Sequence, residues 1–333
     1  MGVWPVHAAR LPSHNQAVLL MVLVALLWSM AGVVSRQFEA VGRFEAAFWR
    51  SAFTALSLLL LLPLWRARQR RQLPSAGRPA SPVAWWQVFE RHWGLVLDSG
   101  SFWICGLCWG VMFTALMLAL TLTSVANVLV VLSVGPLLTA LLARLLIGQR
   151  LAWRTWLAVL LAGLGIAYMF GSQWLQPAAA PAVSDHKLLL GSLVAFCVPL
   201  AGAVNWTVVQ RAQIQGQTID LVPAVLLGAL LSTLLTLPLA LPWAATRSDL
   251  AWLAFLGLFQ LAIPCVLAVI CARVLKASEV SLLSLLEVIF GIFLAWLWAN
   301  ETPANPVLLG GSVVVSALVL NEWLGWRQRA KQP

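Results

Sequence analysis

Glu287 stands alone among apolar side chains. The stretch SLLSLLEVIFGIFLAWLWA (281–299) holds a single ionisable group. A carboxyl group in such a run can take up and release a proton or pair with a base. It can also be a structural acid, neutral and hydrogen-bonded to a neighbouring helix. At about 100° per helical residue, Ser284 (i−3) and Gly291 (i+4) share its face, which Leu294 and Trp298 extend. Small and polar residues beside an acid suit another helix or a water-filled cavity, not lipid. Arg50 is the second such group, in AAFWRSAFTAL (46–56). Three roles are open to it: a handle for a substrate carboxylate, a counter-charge to Glu287, or a side chain reaching back to the interface.

Asn127, Asn205 and Gln260 are further polar groups in or near apolar runs. Each either lines a path or makes an interhelical hydrogen bond. Pro136, Pro199 and Pro264 free backbone carbonyls within their runs. Among nineteen tryptophans, Trp28, Trp109, Trp206 and Trp296 lie deep enough to stack on a substrate or to pack a core. The CGLC at 105–108 has the spacing of a redox pair but sits inside an apolar run, and Cys197, Cys265 and Cys271 read as small apolar packers. The four histidines fall outside the runs and do not cluster as metal ligands. No glycine-rich phosphate loop is present, so neither a cofactor nor ATP is expected to act on this chain.

The solvent that positions these groups is set by composition. Hydrophobic residues make up 61% and charged ones 10%, at a mean hydropathy of +0.89. A soluble domain carries about 25% charged residues, so the chain is an all-α integral membrane protein. A crossing needs about 20 apolar residues. Ten segments suit: 17–36, 44–65, 101–121, 124–144, 153–171, 188–210, 221–243, 250–272, 278–299 and 305–325. Runs such as LSLLLLLPLW (56–65) do not alternate, which excludes a β-barrel. The first run continues to Arg36 without a small-x-small cleavage site and is read as a retained helix.

Charge orients the spans. With the N-terminus in the cytoplasm, 16 Lys and Arg fall on the cytoplasmic side and 4 on the other, with Arg50 inside a span. That asymmetry explains the net charge of +10 without nucleic acid and places both termini in the cytoplasm, in an inner (plasma) membrane. The loop 66–98 opens with RARQRR, and Trp85, Phe89 and Trp93 form one apolar face. Trp85–Trp93 reads as a short helix lying on the membrane after the basic block, with anionic lipid attracted to the 66–93 loop.

The chain also repeats. Shifted by 175 residues, VVSR (33–36) meets VVQR (208–211) and Glu45 meets Asp220; shifted by 152, VGPLLTALLARLLIGQ (134–149) meets LEVIFGIFLAWLWANE (286–301). A repeat of five helices is odd-numbered, so the second copy enters the membrane inverted. The organisation is two inverted five-helix repeats, 17–171 and 188–325, joined by a linker at 172–187.

The motifs carry a resemblance. LLWSMAGVVSR (26–36), AAFWRSAFTAL, SVANVLVVLSVGPLLTALLARLLIGQRL (124–151) and SLLEVIFGIFLAWLWANETP (284–303) together resemble the drug/metabolite transporter superfamily in its EamA branch. Ser29, Val288 and Gln149 depart from its usual glycine, proline and acid, which bears on where helices kink. The resemblance implies secondary transport of a small metabolite, an amino acid or related solute, by export. The candidate path is Glu287, Arg50, Ser284, Gly291, Asn127, Asn205, Gln260 and Trp28. Two other classes stay open: a non-transporting membrane scaffold or sensor, and a membrane-embedded enzyme, which would need a membrane-edge cluster of His, Asp or Glu. The partners expected are a small-molecule substrate and lipid, with a homodimer as one permitted assembly.

Overall fold

A computed structural model describes residues 12–34, 37–71, 97–122, 128, 131–148, 152–175, 185–216, 220–299 and 305–329. Every regular element among the described residues is helical. In order these are α1 (His14–Val34), α2 (Arg43–Arg71), α3 (Gly100–Leu122), α4 (Gly135–Ile147), α5 (Trp153–Leu175), α6 (Asp185–Ile214) and α7 (Pro223–Ala240). Then α8 runs Arg247–Phe255, widens to a π-helical stretch over Leu256–Ala262 and resumes over Ile263–Cys271. Helix α9 comprises Ala277–Ser284 and Leu286–Ala299, and α10 spans Asn305–Arg329.

Seven helical stretches are long and apolar enough to cross a membrane; those in α4, α5 and α10 (Gly135–Ile147, Trp153–Tyr168 and Leu308–Asn321) are shorter. The fourth run is expected from 124; residues 128 and 131–132 are helical, and the helix that follows them starts at Gly135. Pro136 suits that start, because its missing N–H is not needed in a first turn. Gly148 ends it at φ 70°, a left-handed cap that a side chain would strain. The Trp85–Trp93 loop helix and Asn127 lie outside the described residues, as do Gln149 and the acidic end of the ninth span.

Two interruptions differ from the uniform helices read in sequence. Pro264 lacks an N–H and its ring crowds the carbonyl four residues back, at Gln260. The backbone answers with the wide turn just before it, closed by an i→i−5 bond from the Ile263 N–H to the Leu258 carbonyl. In α9 the Ser284 hydroxyl donates to the Ser281 carbonyl at 2.7 Å, and a tight turn at Leu285 follows. Glu287 therefore sits in the first turn of a new helical segment and not at the middle of a continuous one.

The most extensively packed helix pairs obey a simple rule. Exchanging each helix for the one five places along maps α3–α6 onto α1–α8, α2–α8 onto α3–α7, and α1–α9 onto α4–α6. The pairs α2–α7, α4–α9 and α5–α10 map onto themselves. A two-fold relation between two five-helix repeats requires such a set. Glycine permits the closest approaches. A Cβ on Gly228 (α7) would lie 2.9 Å from the Gly110 nitrogen of α3, and one on Gly257 (α8) would lie 2.9 Å from the Thr54 nitrogen of α2. These fall in pairs that the rule exchanges, and small residues at such crossings are how helices associate in lipid. Leu59, Leu60, Leu145, Leu164 and Leu234 point outward.

Two buried acids tie the halves together. Glu45, in the first turn of α2, accepts from the backbone N–H of Ala244 (3.1 Å) and Ala245 (3.0 Å), between α7 and α8. Asp249, in the first turn of α8, accepts from Glu39 (2.8 Å) and Ala40 (3.3 Å), between α1 and α2. It also forms a capping box with Thr246. Trp243 follows the first clasp down, packing edge-on against Trp49 and beside Phe48. Each half thus grips the other's loop at one end of the bundle.

Candidate functional site

Four helices deliver the site. Helix α1 supplies Trp28 and Ser29, α2 supplies Arg50, α8 supplies Gln260 and Cys265, and α9 supplies Glu287 and Gly291. The α1–α9 contact brings Gly291 against Ser29, whose Cβ lies 4.0 Å from where a Cβ on the glycine would be. This is why the small residue one turn beyond Glu287 matters: it lets α9 lie close to α1. Ser284, on the same face, is occupied by its bond to Ser281 and bends the helix.

Arg50 is 5% exposed, and its Nε and Nη2 have no hydrogen-bond partner. It is near enough to Glu287 and Cys265 to interact electrostatically with both. Among the described residues no ion pair joins Arg50 to Glu287; the ion pair present is Arg273–Asp220 at 2.6 Å. The reading of Arg50 as a side chain reaching back to the interface does not survive, because its nitrogens are enclosed. Glu287 is half-buried. The guanidinium and the carboxyl are within electrostatic reach of each other without forming an ion pair.

Trp28 binds the cluster together. Its side chain adjoins Cys265, and the Gln260 Nε2 donates to its carbonyl at 3.4 Å. Gln260 lies in the π-helical stretch of α8, and its Oε1 is buried without a partner. The turn that accommodates Pro264 therefore carries a polar side chain to the α1 backbone. Sequence reasoning missed Cys265, which looked like a small apolar packer and is completely buried, yet lies within electrostatic reach of both Arg50 and Glu287. The signal for it was its spacing from Gln260 across a proline, which only the π turn makes meaningful.

Asn205 is not bonded to this group. It is fully buried on α6 with both amide atoms unpartnered, next to Trp206, which meets Trp109 of α3 edge-on at 5.6 Å. No hydrogen bond or ion pair among the described residues joins it to the Arg50–Glu287 pair. Trp109 and Trp206 pack a core, and Trp296 is half exposed on the outer face, so of the four deep tryptophans Trp28 alone adjoins the charged groups. Cys105 and Cys108 are both buried and free inside α3. A third polar row, Ser51, Ser232 and Thr114, links α2, α7 and α3 by hydroxyl contacts of 3.0 and 3.1 Å.

An all-helical bundle of two exchanging halves, with a charged pair enclosed between them, defines a multi-pass membrane protein of the two-repeat transporter type. The EamA-like transporter family matches residues 15–171 and again 189–328, and the chain belongs to that family, within the drug/metabolite transporter superfamily. A solved crystal structure superposes with a TM-score of 0.70 at 16% identity, over 94% of this chain and 99% of that one. At that identity the likeness concerns the fold alone. No curated protein matches the sequence.

Proposed function

We propose that this membrane transporter is a secondary carrier that exports a small metabolite by alternating access. In this reading the two five-helix repeats are inverted, all ten helices cross the inner membrane, and both termini lie in the cytoplasm. The solute passes between α1, α2, α8 and α9, against Trp28, Arg50, Gln260 and Glu287. One observation carries the reading: a buried guanidinium from one half lies within electrostatic reach of a carboxyl from the other, and its Nε and Nη2 are left without partners. Burying charge without a partner is costly, so a group kept that way has a use that packing does not supply.

Glu287 is the proton carrier in this scheme. It can be charged when the site faces one side and neutral when it faces the other, with Arg50 and Cys265 the groups that feel the change. Glu287→Gln keeps size and hydrogen bonding but cannot titrate. In proteoliposomes the variant is expected to exchange substrate across the membrane yet lose accumulation driven by a proton gradient. A folded Glu287→Gln protein that still accumulates substrate with unchanged pH dependence rules out the relay.

A further inference from the structure

Arg50 leaves a particular pair of nitrogens free. In a guanidinium, the Nε–H and the Nη2–H point the same way along one edge of the plane. Both lack partners here, and the side chain is 5% exposed. Two parallel N–H groups on a rigid edge match the two oxygens of a carboxylate, and this fork is the common geometry of bidentate recognition. A lone carbonyl or hydroxyl oxygen would satisfy one nitrogen and leave the other orphaned, at a cost of about 1–3 kcal/mol. Charge narrows the class further. Arg50 lies well inside an apolar span, and Glu287 is its electrostatic neighbour. One guanidinium beside a carboxyl balances a monoanion; a phosphate dianion would leave excess negative charge in a poorly hydrated space.

We infer that the solute carried is a monocarboxylate, gripped side-on through both oxygens by the Nε and Nη2 of Arg50. This rests on the transport reading for calling the ligand a cargo, but the fork itself stands on geometry. Glu287 is then not the permanent partner of Arg50: it faces the bound carboxylate across the site, and like charges there favour carrying a proton along with the anion. Trp28, whose carbonyl accepts from Gln260, gives the remainder of the ligand an apolar wall.

Arginine-selective labelling tests this without knowing the natural solute. Purified full-length protein in detergent is treated with phenylglyoxal, and adduct formation at each arginine is followed by peptide mass spectrometry. The probes are acetate and benzoate, their neutral amides acetamide and benzamide, and inorganic phosphate. Exposed Arg211 serves as internal control. At a concentration about ten times the dissociation constant, a ligand in the fork slows labelling of Arg50 roughly tenfold. At least one carboxylate should do so, while amides and phosphate leave Arg50 unprotected and Arg211 labels alike throughout. Equal protection by acid and amide, or by phosphate, overturns the inference. So does an Arg50 that stays unlabelled when Arg211 is fully modified, since the fork is then closed to solutes. Protection seen only in Glu287→Gln means that Glu287 itself occupies the fork, which also overturns it. Protection by carboxylate with no flux of any solute in vesicles would sink the transport reading and leave the carboxylate site standing. Flux of a neutral solute without protection would do the reverse.

Discussion

Arg50 with its two idle nitrogens is a residue that the protein holds in readiness at the expense of stability. An unsatisfied buried group costs about 1–3 kcal/mol, and more when charged. Replacing a buried charge by an apolar side chain of similar length removes that cost. Arg50→Met made in a Glu287→Gln background, so that no lone carboxylate remains, is expected to unfold at a higher temperature in detergent than the Glu287→Gln parent. A lower midpoint would mean that the guanidinium is a structural member of the bundle. At this scale the sequence was informative where chemistry contrasts with its surroundings. An acid in SLLEVIF and an arginine in AAFWRSAF stand out against hydrocarbon, and the structure brings both, with Trp28, Gln260 and Gly291, to one place. Cys265 did not stand out, because a cysteine among alanines and valines has no contrast; only its neighbours give it a role. Ser284 shared the right face but bends its helix, and Asn205 is buried on α6 with both amide atoms unpartnered.

Among the elements, the clasps determine what can move. Glu45 and Asp249 each accept backbone N–H groups from the opposite half, and charge-assisted bonds of this kind contribute about 1.5–3 kcal/mol each. Glu45→Ala is therefore expected to speed amide exchange at Ala244 and Ala245 by roughly ten- to a hundredfold, since each 1.4 kcal/mol is about a factor of ten. Asp249→Ala should do the same at Glu39 and Ala40. Hydrogen exchange followed by mass spectrometry separates the two loops, and unchanged rates would show that the aromatic packing of Trp243 alone holds the end closed. Neither clasp was legible beforehand. An acid at the edge of an apolar run looks like any residue at an interface, and its partners are backbone groups about 200 residues away. The π turn was equally hidden, although Pro264 marked its position: a proline says that a helix must adjust, not how. The break at Leu285 left no trace in periodicity either, because apolar residues continue on both sides of it.

For the whole molecule, hydropathy and charge were enough to give the all-helical bundle, because lipid forces every backbone group into helices and the edges of the runs collect the arginines. The repeat was faint in residue identities but is plain in helix pairing, where the most extensively packed pairs have their exchanged partners. Topology can be checked directly. Reporter fusions after Arg78 and at the C-terminus are expected to report cytoplasm, and one within 174–186 periplasm. A periplasmic C-terminus would make the span number odd and remove the basis for inversion.

The reciprocal clasps also have a consequence for how the chain is made. The residues that each acid grips lie 199 to 210 positions away along the sequence. At about 5–20 residues per second, ribosomes take roughly 10–40 s to make such a length. During that interval α2 is already synthesised with Glu45 ungripped, and the α1–α2 loop waits for an aspartate not yet translated. The first half of this protein is thus left open at one end until the second half arrives to close it.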